Sequence, residues 1–330
     1  MHALVTGAGG FLGQYLVEQL VARGDRVRGM VRRKCAALES LDVECIHGDV
    51  RELTDVIRAC RGVDVVFHAA AIAGIWGTWQ QFHDINTLGT KNIISGCIHG
   101  GVTRLVFTSS PSVVFAGHDQ CGIDESAPYP QRWLAQYPHS KALAEKMVLA
   151  ANGEHHLLTC ALRPHLIWGP RDQHLIPRLL GRATRGQLRQ VGEGKNQIDA
   201  VYVENAAAAH LLAADALAPG SPPCGKPYFI TNGEPVNCWD WINGILSLAG
   251  VPRVTKSISY RAAYAAGAVL EGIWTLTGRT DEPRMTRFLA AQLATSHHFN
   301  IAAARRDLGY EPAISMAEGM QRLRVSLGSG

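Results

Sequence analysis

Tyr137 and Lys141 stand four residues apart in Tyr137-Pro138-His139-Ser140-Lys141, at the start of a helical run through Ala142, Leu143, Ala144, Glu145 and Lys146. On a helix that spacing puts both side chains on one face. A free tyrosine has a pKa of about 10, and an ammonium beside the phenol lowers it. A proton can then pass between the phenol and a carbonyl or alcohol near neutrality. A Tyr-x-x-x-Lys pair is common by itself, and its weight here comes from position. Thr108-Ser109-Ser110 lies one loop upstream, at the carboxyl end of an apolar run that reads as a central strand, where a hydroxyl can orient the same oxygen.

A second chemistry-bearing stretch opens the chain. Val5-Thr6-Gly7-Ala8-Gly9-Gly10-Phe11-Leu12-Gly13 follows the apolar residues Ala3 and Leu4 and leads into a periodic run through Leu16, Val17 and Leu20. This reads as a strand, a glycine turn and a helix. Gly7 supplies the turn, Gly10 lets backbone approach a pyrophosphate, and Gly13 allows close packing. The helix start at Phe11 and Leu12 offers N–H groups to phosphate, so a dinucleotide is expected here. The second strand ends Gly29-Met30-Val31-Arg32-Arg33-Lys34, without the acidic residue that grips a ribose 2′-hydroxyl. Arg32 first, and Arg33 second, are placed to grip a 2′-phosphate, so NADP(H) is expected over NAD(H).

These residues need a scaffold, and the hydrophobic rhythm supplies one. Strands are expected at Arg26–Val31, Val43–His47, Val63–Phe67, Arg104–Thr108 and Cys160–Leu162, with helices between, including 82–100 and 137–151. Apolar strands alternating with helices mean an α/β, doubly wound parallel sheet with ligands at the strand carboxyl ends. After Gly169 the rhythm changes to helices at 176–186, 205–218 and 239–249 and short strands at 200–203 and 228–231. The expected division is therefore residues 1–168 as the cofactor-binding domain carrying the Ser/Tyr/Lys site, and 169–330 as a smaller α+β substrate-binding lobe, some of whose elements return to the first.

Bulk properties exclude several classes. The 330 residues are 47% hydrophobic and 18% charged with a formal charge of +4, and Arg32-Arg33-Lys34 is the one tight basic cluster, so nucleic-acid binding is not indicated. The chain runs straight into its first strand, which makes the cytoplasm the expected location. Eight dispersed cysteines without a C-x-x-C point to reduced thiols, and no metal is expected. His155-His156 and His297-His298 read as surface or packing residues. The apolar stretch 261–277 falls short of a membrane span; it reads as a buried or lid helix or as an interfacial one, so any membrane contact is peripheral.

Taken together, Thr6 to Gly13, Gly48-Asp49-Val50, His68-Ala69-Ala70-Ala71, Asn86 to Thr90, Thr108-Ser109-Ser110, Tyr137 to Lys141, Arg163-Pro164 and Asp307 to Pro312 make the chain resemble an extended short-chain dehydrogenase/reductase of the 3β-hydroxysteroid dehydrogenase-like branch. The resemblance covers nearly the whole chain and implies a Rossmann domain. It makes Ser110, rather than Ser109 or Ser112, the carbonyl-holding serine and Tyr137 the general acid. Lys141 becomes the residue that binds the nicotinamide ribose and tunes Tyr137. It places Asp49 and Val50 by the adenine, Ala69, Ala70 and Ala71 beside the pyrophosphate and ribose, and Pro164 in the cofactor site. For Asn86 it leaves open a proton-relay role and a structural one. It also implies a homodimer paired through helices 82–100 and 137–151.

More narrowly, Ala161 to Pro170 and Asn232 to Trp241 resemble the reductases of bacterial long-chain olefin biosynthesis, which reduce a β-keto acid carrying two long alkyl chains. That implies an NADPH-dependent 2-alkyl-3-oxoalkanoate reductase, a place in lipid metabolism, and assembly with other enzymes of that pathway. Ile75, Trp76, Trp79, Phe115, Trp133, Ile167 and Trp168 are candidates for an apolar pocket. His139 and His165 are candidates to meet the carboxylate, or else packing histidines. A steroid dehydrogenase and a nucleotide-sugar epimerase share the glycine turn and the Tyr/Lys pair. A cofactor sensor without catalysis has no need of Ser110, Tyr137 and Lys141.

Overall fold

Seven parallel strands form one sheet in the order Lys226–Ile230, Leu158–Pro164, Arg104–Thr108, Val65–His68, His2–Thr6, Arg26–Val31, Glu44–His47. The computed structural model describes residues 1–41 and 43–328. Their apolar residues are buried on both faces: Leu4 and Val5, Val65 to Phe67, and Leu105 to Phe107 are shielded by helices packed front and back. Because every strand runs the same way, every loop that follows a strand emerges at one edge. The chain winds outward from His2–Thr6 in one direction, then returns to its other side with Val65–His68. The crevice between those two strands is the topological switch point at which such sheets bind ligands.

The strand Lys226–Ile230 comes late in the chain and pairs with Leu158–Pro164, in register from Lys226 opposite Cys160 to Ile230 opposite Pro164. Segment 169–330 therefore divides between two regions. The helix Val203–Ala216 packs back onto Phe11–Ala22, with the Gln19 amide donating to the Glu204 carbonyl at 3.0 Å. The remainder builds a second core around Trp168, Tyr202, Trp239, Trp241, Ile245 and Leu246. A four-stranded sheet, Val236–Asn237, Gln197–Ile198, His297–Phe299 and Gln120–Ile123, joins that lobe to the loop following the central strand.

Two helices matter for the site. Gln136–Ala150 carries Tyr137 and Lys141. The helix expected at 82–100 begins earlier, at Trp79, where the Thr78 hydroxyl accepts the Gln81 N–H at 3.2 Å, and it widens to π geometry over His83–Leu88 before continuing as Gly89–Gly100. Among the described residues no helix is long and apolar enough to cross a membrane.

Candidate active site

Gly7 takes φ +68°, and a Cβ there would lie 2.9 Å from the Ala70 backbone. A Cβ on Gly13 would lie 2.1 Å from the Gly7 carbonyl oxygen. The turn thus closes directly over the switch-point crevice, with Ala69 and Ala70 on its far wall. Gly10 begins the helix Phe11–Ala22 without a side-chain cap, which leaves the first-turn N–H groups free of a side-chain acceptor and aimed where a pyrophosphate would sit. The cradle fits a dinucleotide.

The crevice is braced by residues the sequence reading did not single out. The Thr6 hydroxyl accepts the Ala70 N–H at 3.2 Å and pairs with His68 Nδ1 at 2.8 Å, while His68 Nε2 meets the Thr90 hydroxyl at 3.0 Å. Thr90 donates to the Asn86 carbonyl at 2.6 Å. Burial, with the charge of Lys141 adding to it, pushes His68 down to about 3, so it is a neutral hydrogen-bonding strut. Its signal in the sequence is a lone histidine closing an apolar strand.

Asn86 lies in the π segment. Its side chain accepts the Ile72 N–H at 2.9 Å and donates to the Ile72 carbonyl and the Ser140 hydroxyl, both at 3.0 Å. Ser140 in turn donates to the Tyr137 carbonyl at 2.8 Å. The Asn86 side chain therefore ties the post-strand loop to the first turn of the Tyr137 helix.

Ser110 ends extended backbone and caps the short turn Pro111–Val114, its hydroxyl sharing a 2.8 Å hydrogen bond with Ser112. Burial raises the pKa of the Tyr137 phenol, and Ser110 beside it pulls the other way without reversing the net upward direction. Ser109, by contrast, is buried with no hydrogen-bond partner for its hydroxyl. Of the three serines, Ser110 is the one whose hydroxyl acts on the phenol's titration.

The expected Lys141 effect on Tyr137 is corrected here. Lys141 Nζ donates to the Thr108 carbonyl at 2.6 Å and sits 4.1 Å over the Phe107 ring, and burial makes the Tyr137 pKa rise rather than fall. Burial drives Lys141 itself down to about 7, against the pull of Glu145 one turn on. Glu145 is wholly buried in a two-bond pair with Arg163, at 2.7 and 3.0 Å, and accepts the Tyr129 hydroxyl at 2.7 Å.

Arg32 and Arg33 are exposed just after the second strand, on the carboxyl edge of the sheet, with no ion pair among the described residues. Asp49 is engaged by Arg51, at 2.7 and 3.1 Å. The Arg51 hydrogen bonds hold its carboxyl low against partial burial, with the charge of Arg32 adding to the effect. Val50 is buried beside the helix Gly89–Gly100, and Pro164 ends its strand opposite Ile230. Ala71 is exposed beyond the crevice.

The apolar candidates divide. His139 is sandwiched between Trp79 (4.7 Å) and Trp133 (5.3 Å), forming a half-exposed aromatic shelf on the Tyr137 helix, and Phe82 lies 6.2 Å from the Tyr137 ring. Phe115 packs against Phe288 with Ile75, Leu134 and Tyr260 around them. Trp168 is corrected: it is fully buried in the second core, edge-on to Tyr202 and Trp241, and lines nothing; Ile167 packs on the main core. Of the two histidines expected either to meet the carboxylate or to pack, burial holds both below the ordinary histidine range, which leaves each a neutral ring with one N–H donor. His165 is wedged edge-on against His297 and Phe299. His297 is itself buried, with Nε2 at 2.8 Å from the Gln292 carbonyl.

What this arrangement can do is hold a nucleotide along the carboxyl edge and present the half-buried Tyr137, with Ser110 nearby, to a carbonyl beside an aromatic surface. The model of the 3-beta hydroxysteroid dehydrogenase/isomerase family matches residues 4–259. The 2-alkyl-3-oxoalkanoate reductase of Stenotrophomonas maltophilia is 48% identical over 329 residues, 99% of this chain and 99% of that protein. The 2-alkyl-3-oxoalkanoate reductase of Shewanella oneidensis is 47% identical over 333 residues, 99% of this chain and 86% of that one. The solved structure of MoeE5 in complex with UDP-glucose and NAD superposes with a TM-score of 0.75 at 25% identity, covering 100% of this chain and 99% of that one. The chain belongs to the 3-beta hydroxysteroid dehydrogenase/isomerase family, within the extended short-chain dehydrogenase/reductases, and is an NAD(P)-dependent oxidoreductase acting between CH–OH and C=O.

Proposed function

We propose that this enzyme uses NADPH to reduce the 3-oxo group of a 2-alkyl-3-oxoalkanoate with long alkyl branches, in bacterial olefin biosynthesis. The observation that carries the reading is the Trp79–His139–Trp133 shelf, whose His139 stands on the same helix as Tyr137. Two relatives of that named activity, at 47% and 48% identity, support it. Tyr137 delivers a proton to the ketone oxygen as it becomes a hydroxyl, and Ser110 steadies that oxygen through the transition state. Lys141, drawn toward Thr108, is positioned to hold the nicotinamide ribose. The bound nicotinamide supplies the hydride to the carbonyl carbon. Arg32, with Arg33, engages the 2′-phosphate, while the Gly7, Gly10 and Gly13 turn and Ala69 and Ala70 enclose the pyrophosphate. Residues 1–168 hold the cofactor, and the part of 169–330 outside the main sheet flanks the substrate. The enzyme works as a homodimer, for which sedimentation velocity is the test.

Reduced-nicotinamide absorbance, lost on reduction of long-chain 2-alkyl-3-keto acids and gained on oxidation of a 3-hydroxysteroid or a UDP-sugar, tests the substrate. Turnover should favour the keto acids. Each methylene that becomes buried contributes about 0.8 kcal/mol, so kcat/KM should climb about fourfold per carbon until the pocket is full. A flat chain-length profile, or turnover confined to the steroid or the sugar, defeats the assignment.

A further inference from the structure

The helix Tyr260–Thr277 presents an uncharged face to solvent. Ala263, Gly267 and Glu271 are buried, and the absence of a side chain on Gly267 lets the helix press against the Thr286–Arg287 backbone, where a Cβ would come within 2.6 Å. Glu271, the one charged residue between 262 and 277, is turned inward and accepts both the N–H and the Nε of Arg287, at 2.7 and 2.6 Å. The outward side shows Ala262, Ala266, Val269, Ile273 and Leu276, a stripe at helical spacing, with Val269 62% and Leu276 89% exposed. The Thr275 and Thr277 hydroxyls donate back to the Glu271 and Ile273 carbonyls, both at 2.7 Å, so neither needs water.

Just past the carboxyl end of this helix lies a concavity of about 260 Å³ lined by Arg178, Arg182, Arg185, Arg284, Gln187 and Glu282. Four guanidinium groups face one carboxylate there. The helix also has a fixed relation to the site. Its first residue, Tyr260, packs with Phe115 and Phe288, and the Arg279 carbonyl beyond its end accepts the Trp76 indole N–H at 3.3 Å.

We propose that the helix Tyr260–Thr277 and the adjoining arginine concavity are a peripheral docking surface for an anionic lipid bilayer, the stripe entering the headgroup–acyl boundary and the arginines meeting the phosphates. An apolar helical face that ends in an excess of guanidinium charge is complementary to hydrocarbon beneath anionic headgroups, and an 18-residue helix packed along one side against its own chain lies in that interface rather than crossing it. This holds whichever greasy substrate the site takes.

Flotation of the full chain with extruded vesicles of phosphatidylcholine, alone or mixed with phosphatidylglycerol, tests it. The wild type should float with the mixed vesicles, and less so as salt is raised. Val269→Asp with Leu276→Asp should lower partitioning at least tenfold, and Arg185→Glu about tenfold on anionic vesicles. Both variants alter exposed side chains, and cofactor binding should be unchanged. Absence of flotation overturns the proposal, as does flotation indifferent to these variants. A concentration-dependent dimer that Val269→Asp dissociates, without vesicle binding, overturns it in favour of a second copy of the chain.

Discussion

Replacing Lys141 by methionine should stabilise the cofactor-free protein in acid and neutral solution, by an amount that shrinks as pH rises. The folded-state pKa of Lys141 is depressed to about 7 from 10.5 because its ammonium is buried. The folded protein therefore binds fewer protons than the unfolded chain between these values, and stability rises with pH across that window. At pH 6 both states are charged and the full penalty applies: about 3.5 units at 1.36 kcal/mol each, or roughly 5 kcal/mol. At pH 9 it has fallen to about 2 kcal/mol. Methionine fills similar space with no charge but abandons the Thr108 carbonyl, at a cost of about 1–3 kcal/mol that does not depend on pH. The measurable quantity is the difference between variant and wild type in urea unfolding at pH 6, 7.5 and 9, which should narrow by about 3 kcal/mol from first to last. A difference that stays constant with pH would show that Lys141 is not a desolvated ammonium, and the account of its burial would fail.

Tyr137→Phe should reduce kcat by 10²–10⁴-fold with nucleotide affinity intact; a threefold loss, with chemistry confirmed rate-limiting, removes Tyr137 as the proton donor. Arg32→Ala should raise KM for NADPH and leave that for NADH nearly unchanged, and equal efficiency with both cofactors in the wild type would assign Arg32 to solvent instead. Glu145→Gln strands the buried Arg163 guanidinium and should destabilise the fold by about 3–5 kcal/mol in denaturant titration. A loss under 1 kcal/mol would mean that water reaches that pair.

The strands Arg26–Val31 and Arg104–Thr108 are legible to the residue, the first from its alternation and the second from the apolar run Leu105-Val106-Phe107 between polar ends. The two-residue strands Gln197–Ile198 and Val236–Asn237 and the strand Gln120–Ile123 are not, since so short a segment is defined by its partner rather than by its own composition. The π segment around Asn86 is hidden for a related reason. One extra residue per turn leaves the hydrophobic periodicity almost unchanged, although it redirects the Asn86 side chain toward Ile72 and Ser140. In the site, Tyr137 is legible from its spacing to Lys141, and Ser110 from the family resemblance. The direction of the Lys141 ammonium does not follow, because four-residue spacing fixes a helix face and leaves a long side chain free to choose between a phenol and a carbonyl. Trp168 shows the same limit: its place after a strand end suggests a pocket, and the second core, assembled from segments far away in sequence, takes it.

The late strand Lys226–Ile230 bears on how the protein can be made. Until it is synthesised, Leu158–Pro164 stands as a raw edge whose N–H and C=O groups invite pairing with other chains, and the helix Val203–Ala216 is missing from the face of Phe11–Ala22. The nucleotide-cradling half is thus sealed only after more than two thirds of the polypeptide has left the ribosome. A fragment cut at residue 168 would keep every group assigned to the chemistry and still lack the piece that protects it from aggregation.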